Sequence, residues 1–213
     1  MMFEDRRQAG RMLAERVAAL ALVEPVVLAL PRGGVPVAVE VAAALHAPLD
    51  LLLVRKIGAP DQPELAVAAL AEGPPPETVI DEQTLAATGA TRAYVENRAR
   101  VELQEIVRRR QRYLGGRAAL AVAGKVVVVV DDGIATGTTV RAALRALRRR
   151  RPARVVLAVP VAPPSVIEAL RSEVDDCVCL AQPEFFGAVG RFYADFRQVD
   201  DAEVAALLQA PPP

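Results

Sequence analysis

The chain has 213 residues, of which 53% are hydrophobic, and its 26 basic and 26 acidic residues leave no net charge. This length favours one α/β domain with a small appendage, and the apolar fraction excludes intrinsic disorder. A neutral chain argues against a general nucleic-acid binder, which normally carries a net basic field. No apolar run of about 18 residues predicts a membrane span, and the charged residues 1–11 do not resemble a signal peptide. We therefore expect a cytoplasmic protein that binds neither membranes nor nucleic acids.

The basic residues are unevenly divided, since 24 are arginine and only Lys56 and Lys125 are lysine. The chain also has a single asparagine, Asn97, and 17 prolines. Few heat-labile amides and many prolines are typical of a thermophile protein, and a genome rich in G and C would produce a similar bias.

The first half of the chain contains four short apolar runs and two helical patterns. Gly73–Pro76 separates two of the runs and indicates a loop or flap. A long amphipathic pattern over 91–114 then predicts a helix, which Gly115 and Gly116 end. The predicted strands are 25–30, 49–54, 65–71 and 78–80, and the shorter predicted helix is 35–45.

The second half contains five consecutive valines, Val126–Val130, without alternation. Such a strand is buried on both faces, as in a parallel sheet covered by helices. Repeated strand–helix units indicate an α/β fold, an open, mostly parallel twisted sheet with helices on both faces. We predict a core over 1–180 with a helical insertion near 81–116, and a separate C-terminal segment over 181–213. The remaining predicted elements are helices at 138–149, 163–171 and 201–209 and strands at 154–160 and 177–180.

The valine strand runs into Asp131 and Asp132, and then into a loop of small and hydroxylated residues, 133–139, that starts a helix. Ligands of open parallel sheets bind at the carboxyl ends of the strands. Glycines let backbone N–H groups turn toward one point, and the helix N-terminus adds partial positive charge there. The pattern predicts a phosphate cradle beside two carboxylates, whose partners would be sugar hydroxyls or Mg²⁺. It is not a Walker A loop, because the required lysine is absent.

The segment Val126–Thr139, VVVVVDDGIATGTT, resembles the phosphoribosyl-pyrophosphate (PRPP) signature of the type I phosphoribosyltransferases. Two further segments agree with that family. Leu30–Gly34, LPRGG, follows the first strand, where the family has its pyrophosphate loop, often with a cis peptide. Val54–Gly58, VRKIG, is similar to the Arg-Lys-x-Gly that follows the second strand in adenine phosphoribosyltransferases. The resemblance implies a type I phosphoribosyltransferase core.

The resemblance also implies an activity, the Mg²⁺-dependent transfer of a 5-phosphoribosyl group from PRPP to a base, with release of pyrophosphate, in nucleotide salvage. Asp131 and Asp132 would hold the ribose hydroxyls, and they would act in catalysis together with Arg32 and Lys56. Mg²⁺ would arrive with PRPP, with the two aspartates as candidate ligands. The implied 5′-phosphate cradle is Ala135, Thr136, Gly137, Thr138 and Thr139, and the implied pyrophosphate site is Arg32, Gly33, Arg55 and Lys56.

The acceptor would be a purine or pyrimidine-type base. Ala135 stands where hypoxanthine–guanine enzymes have an aspartate that acts on the purine, which disfavours that specificity. The family binds its base in a variable hood, here the segment 181–213. Aromatic rings in it suit stacking on a base, and a small satellite core beneath a loop is the alternative interpretation. The base-binding candidates are Phe185, Phe186, Phe192 and Tyr193.

Other features leave alternatives open. The stretch 59–76 is the candidate lid, and Glu64 and Glu72 within it are candidate acid–base groups. The basic runs at 108–110 and 148–151 are expected to be solvated helix faces or subunit contacts, which would suit a homodimer. The alternative function is a non-catalytic PRPP- or nucleotide-sensing regulator of the same fold. The presence of both pyrophosphate segments favours the enzyme.

Overall fold

A computed structural model gives the fold and describes residues 2–73 and 75–209, except for the side chain of Glu64. Strands and helices alternate through most of the chain. The strands are β1 (Val26–Ala29), β2 (Leu49–Leu51), β3 (Val54–Ala59), β4 (Gln62–Ala71), β5 (Glu77–Ile80), β6 (Val126–Val130), β7 (Arg154–Val161) and β8 (Asp176–Ala181). The helices are α1 (Arg6–Ala18), α2 (Gly34–Ala44), α3 (Glu82–Thr88), α4 (Arg92–Leu114), α5 (Thr138–Arg149), α6 (Pro164–Leu170) and α7 (Asp201–Gln209).

Five parallel strands form the central sheet in the order β2-β1-β6-β7-β8. The valine strand β6 lies in the middle, and its side chains point alternately into two separate cores. Helices α1, α2, α4 and α7 cover one face, while α5 and α6 cover the other. Both faces are therefore dry, which is why five valines follow one another without a polar residue. The predicted fold class is confirmed.

A second sheet of three antiparallel strands, β3-β4-β5, lies outside the central sheet. Here the prediction of a single strand over 49–54 is wrong. The chain leaves the central sheet after Leu51, and β3 begins at Val54 in the second sheet. Leu52 and Leu53, which connect β2 to β3, are buried in the two cores on opposite faces of the central sheet, so the hydrophobic run continues across the break. The predicted loop falls in the connection between β4 and β5, whereas much of the candidate lid 59–76 is strand β4. We call β3-β4-β5 the flap sheet.

The predicted long helix is confirmed as α4. The side chain of Thr91 accepts a hydrogen bond from the Tyr94 backbone N–H at its start, and Gly115 ends it with φ +59°. Helix α1 was not predicted, although Leu13 and Val17 pack in the core. No helix within residues 2–73 and 75–209 is long and apolar enough to cross a membrane. Residues 210–213 of the predicted C-terminal segment lie outside the described residues.

Candidate active site at the carboxyl end of the sheet

The loop after β1 and the two aspartates after β6 are in direct contact. Strands β1 and β6 are parallel neighbours, and the Leu30 N–H donates to the Val130 carbonyl at 2.9 Å. A Cβ atom on Gly33 would overlap with Oδ2 of Asp132, so only glycine fits between the loop and the carboxylate. The Pro31–Arg32 peptide bond is cis. Two segments about 100 positions apart in sequence therefore form one site, as expected for the ends of adjacent parallel strands.

The two carboxylates differ in their surroundings. Asp131 Oδ1 accepts the Asp132 backbone N–H at 2.9 Å, and burial together with the neighbouring charge of Asp132 raises the pKa of Asp131 well above its ordinary value. Burial also raises the pKa of Asp132, but the Arg6 guanidinium opposes that rise. Arg6 Nε lies 2.7 Å from Asp132 Oδ2, and their side chains are 10% and 13% exposed. Asp132 is thus paired with a cation, whereas Asp131 forms no salt bridge with the described residues.

The C-terminal segment closes over this pair. The Tyr193 hydroxyl donates to the Asp132 carbonyl at 2.5 Å, and Arg6 donates to the Arg197 carbonyl at 2.9 Å. The Arg6 guanidinium also lies over the ring of Phe196, 3.9 Å from its centroid. Hydrogen bonds and a cation–π contact therefore hold Arg6, the first residue of α1, against the segment that follows β8.

The four aromatic candidates for base binding have separate environments. Tyr193 is only 5% exposed and packs against Phe3, which corrects the prediction that its ring is free to stack on a base. Phe186 and Phe192 pack on each other, with ring centroids 5.2 Å apart, beside the same satellite core. Phe185 is 94% exposed. The satellite-core interpretation thus holds for Tyr193, and Phe185 presents an uncovered ring.

The loop predicted to cradle a phosphate joins β6 to α5. Gly137 has φ +77° and precedes the first residue of α5, a conformation that favours glycine. Within the described residues no side chain caps this helix start, so its N–H groups remain available to an anion. Thr136 and Thr138 lie with their hydroxyl oxygens 3.3 Å apart. The loop has the geometry of an anion site at a helix N-terminus.

Arg55 and Lys56 lie within β3, not in a loop after a core strand. This placement follows from the break after Leu51, because β3 belongs to the flap sheet. Arg55 Nε lies 2.8 Å from Oε2 of Glu102, a buried carboxylate of α4, whereas the Lys56 side chain is exposed. The predicted basic pair therefore divides, with Arg55 directed to α4 and Lys56 to solvent.

Arg32 extends from the loop after β1 toward the C-terminal helix. Its guanidinium lies 3.6 Å from Oδ1 of Asp201, the first residue of α7. Asp201 also accepts a hydrogen bond from the Tyr113 hydroxyl at 2.7 Å and pairs with Arg112 at 2.7 Å. Helices α4 and α7 are thereby joined to the loop that carries Arg32.

Comparison with known proteins decides the family. The family model "Phosphoribosyl transferase domain" matches residues 5–197. The chain belongs to the phosphoribosyl transferase family. The family predicted from the sequence is therefore confirmed.

Known relatives of the chain agree with this family assignment. Proteins from two Mycobacterium tuberculosis strains, CDC 1551 / Oshkosh and ATCC 25618 / H37Rv, carry names that provisionally assign them as phosphoribosyl transferases. Each is 45% identical over 207 residues, which are 97% of this chain and 46% of the relative. The chain thus spans about half the length of these relatives. The crystal structure of TT1426 from Thermus thermophilus is 46% identical, with a TM-score of 0.87 and 98% of both chains covered.

Glu72 does not fit its predicted acid–base role. Its carboxylate is 6% exposed and accepts two hydrogen bonds from Arg110, which also pairs with the buried Asp50 at 3.2 Å. A carboxylate whose two oxygens both accept hydrogen bonds from one arginine forms a structural ion pair and is not free to act as a base. The side chain of Glu64, the other candidate, lies outside the described residues.

Sequence reasoning missed two arginines of the site. Arg6 stands in a charged N-terminal stretch, where the spacing of Leu13 and Val17 was the only signal of a helix. Arg109 was assigned to a solvated face, yet it lines a small cavity with Pro31 and Asp131. Its signal was the helical spacing between the buried Ile106 and Tyr113, which brings position 109 close to the buried side of α4.

The residues present can accommodate magnesium only together with a ligand. Within the described part of the chain, no group of three or more acidic, histidine or cysteine side chains could hold a metal ion. Asp131 and Asp132 are two oxygen donors, and one of them already pairs with Arg6. Mg²⁺ commonly binds through one or two carboxylates plus the phosphates of a substrate. The donor set fits a metal that arrives with PRPP.

Proposed function

We propose that the protein is an enzyme that transfers the 5-phosphoribosyl group of PRPP to a nitrogenous base and releases pyrophosphate. The observation that carries this proposal is the contact between the Arg32–Gly34 loop and Asp132, beside a phosphate-type loop at the start of α5. In PRPP a ribose carries a phosphate at one end and a pyrophosphate at the other. The two aspartates would hold the ribose, the loop at the start of α5 the phosphate, and the loop after β1 the pyrophosphate. The family assignment agrees with a PRPP-using transferase.

In the proposed reaction, a base nitrogen attacks C1 of the ribose. The C1–N bond forms as the C1–O bond breaks, the bonding pair leaves with pyrophosphate, and the nitrogen releases its proton to solvent. Negative charge grows on pyrophosphate, and Arg32 and Arg55 are the cations proposed to stabilise it. Mg²⁺, when bound with PRPP, would supply further positive charge on the same oxygens.

The proposed substrate contacts divide between the two ends of the site. Asp131 and Asp132 would accept hydrogen bonds from the ribose hydroxyls, while the N–H groups of residues 135–139 would hold the 5′-phosphate. Lys56, exposed on the flap sheet, would reach pyrophosphate when that sheet closes over the ligand. Phe185 is the aromatic side chain whose ring is free to stack on the incoming base.

A single assay tests the proposal. The protein is incubated with Mg²⁺, PRPP and a panel of purine and pyrimidine bases, and pyrophosphate release is followed. Release that depends on one base or one class of base supports the enzyme. Clear binding of PRPP by calorimetry without release for any base would contradict it and favour the PRPP-sensing regulator.

A further inference from the structure

A small cavity of about 60 Å³ lies at the meeting point of the loops after β1 and β6. Pro31 and Asp131 come from those two loops, Arg55 from β3, and Thr139 from the first turn of α5. The fourth polar contributor is Arg109, which comes from α4. Helix α4, which packs on one face of the central sheet, therefore supplies a cation to the cleft between the candidate ribose and pyrophosphate groups.

The position of Arg109 is fixed by neighbours on the same face of α4. Glu102, Ile106 and Tyr113 follow the helical spacing that places them on the side of Arg109. Glu102 binds Arg55 of the flap sheet, Ile106 is buried in the core, and the Tyr113 hydroxyl binds Asp201 of α7. The helix is thus held at both ends of this face, and Arg109 is 29% exposed between them.

Three carboxylates around the cleft share a common arrangement, in which each bridges two arginines. Glu105 lies between Arg109 and Arg108, with N–O distances of 2.8 and 2.7 Å. Hydrogen bonds from these two arginines lower the pKa of Glu105 to about 2, so it stays charged. Each bridge of two cations and one anion keeps one net positive charge. The other two bridges are Arg55–Glu102–Arg98 and Arg32–Asp201–Arg112.

We propose that Arg109 is a substrate-binding residue that contacts the pyrophosphate group of PRPP from the side of α4. This inference rests on the proposed function and adds a residue to it. Arg109 uses Nε to bind Glu105, which orients the guanidinium and leaves its two terminal nitrogens free of hydrogen bonds to the described residues. A planar pair of N–H donors matches two phosphate oxygens. The helical insertion thereby forms one wall of the pyrophosphate site.

The test compares Arg109→Gln with Arg108→Gln, because Arg108 binds the same Glu105 but is 57% exposed and does not line the cavity. Calorimetry with Mg²⁺ measures the affinities of PRPP, pyrophosphate and ribose 5-phosphate. For R109Q we expect a loss of about tenfold or more for PRPP and pyrophosphate, since a charge-assisted hydrogen bond is removed. Ribose 5-phosphate should be unaffected. R108Q should change every affinity by no more than about twofold.

Comparing the three ligands distinguishes a direct contact of Arg109 with pyrophosphate from a general effect on folding. A merely structural role of Arg109 would weaken all three ligands together, and that result would overturn the inference. So would equal pyrophosphate affinities for R109Q and R108Q. Arg109→Lys should recover part of the pyrophosphate affinity, because it restores the charge without the planar fork. Wild-type protein that binds PRPP and loses affinity on R109Q, yet never turns over, would contradict only the proposed enzyme function.

Discussion

At the scale of single residues, the two adjacent aspartates have different electrostatic partners. Asp132 is paired with Arg6, which is held in turn by the Arg197 carbonyl and the Phe196 ring. Asp131 has no cation within salt-bridge distance among the described residues, and its pKa is raised by burial and by Asp132. The site thus holds a carboxylate without a salt bridge beside one that has a salt bridge. Neutralising each of them should therefore change the stability of the protein differently.

Removing the cation should shift the titration of Asp132. In Arg6→Ala the opposing charge is lost, so the pKa of Asp132 rises further and a smaller fraction is ionised at a given pH. The acid limb of PRPP binding should therefore move to higher pH, measured as the dissociation constant between about pH 5 and pH 8. Arg7→Ala is the matched control, because Arg7 is on the same helix but is 60% exposed and binds Glu40. Identical profiles for both variants would contradict the role given to Arg6.

Neutralising Asp131 should stabilise the free protein while weakening PRPP binding. Asp131→Asn keeps an oxygen that can accept the Asp132 N–H and removes a charge that burial disfavours. Relief of ~1 kcal/mol corresponds to a rise of about 2–4 °C in the thermal midpoint of a chain of this size. Asp132→Asn should not stabilise, because it leaves Arg6 unpaired. Differential scanning calorimetry of the two variants and the wild type tests this prediction. A thermal midpoint of D131N below that of the wild type would refute it.

The sequence was informative about residues that share one local pattern. Asp131, Asp132 and the loop 135–139 follow a buried strand, so their position at its carboxyl end could be predicted from neighbours in the chain. The partner of Asp132 could not, because Arg6 lies 126 positions away. No spacing rule connects such positions, and only the packing of α1 against the sheet brings them together.

At the scale of elements, hydrophobic periodicity identified α4 and the valine strand, but not the break after Leu51. Apart from the buried Asp50, residues 49–54 are all apolar, because the segment is buried both in the central sheet and where it passes to the flap sheet. An apolar run states that a segment is buried, but not which sheet buries it. The candidate lid 59–76 therefore contains a whole strand, β4, and Arg55 and Lys56 lie within a strand instead of after one.

The flap sheet should loosen when its hydrogen bond to α4 is removed. The Tyr94 hydroxyl donates to the Gly58 carbonyl at 2.9 Å, next to an irregularity in the pairing of β3 and β4. Tyr94→Phe removes about 1 kcal/mol, so amides of the β3–β4 hairpin should exchange with solvent about fivefold faster. Peptides from β6 serve as the internal control in a hydrogen-exchange experiment. Equal acceleration in both regions would mean that the bond supports the whole fold rather than the flap.

At the scale of the whole molecule, the candidate site is assembled from almost every part of the chain. The central sheet supplies the aspartates, the flap sheet supplies Arg55, and α4 and α7 hold the arginines through carboxylates. A ligand in the middle of such an assembly binds only when all parts are in place. Binding and global folding should therefore be strongly linked.

Saturating Mg²⁺ and PRPP should raise the thermal midpoint of the wild-type protein. At 100 times the dissociation constant the stabilisation is about 2.7 kcal/mol, or about 5–11 °C for a chain of this size. Asp132→Asn should lose most of this increase, because a carboxylate proposed to bind ribose is gone. Differential scanning calorimetry with and without ligand gives the comparison. A full increase in D132N would remove Asp132 from the ribose site.

The contact between the two distant ends of the domain also sets an order of events during protein synthesis. Phe3 exchanges backbone hydrogen bonds with Phe192 and Ala194, next to the place where Arg6 meets Arg197. Translation adds about 5–20 residues per second, so these partners leave the ribosome roughly 10–40 s after Phe3. Until then, the cover that the Tyr193 hydroxyl provides over Asp132 cannot form. The acidic pair is thus among the last parts of the molecule to reach its final surroundings.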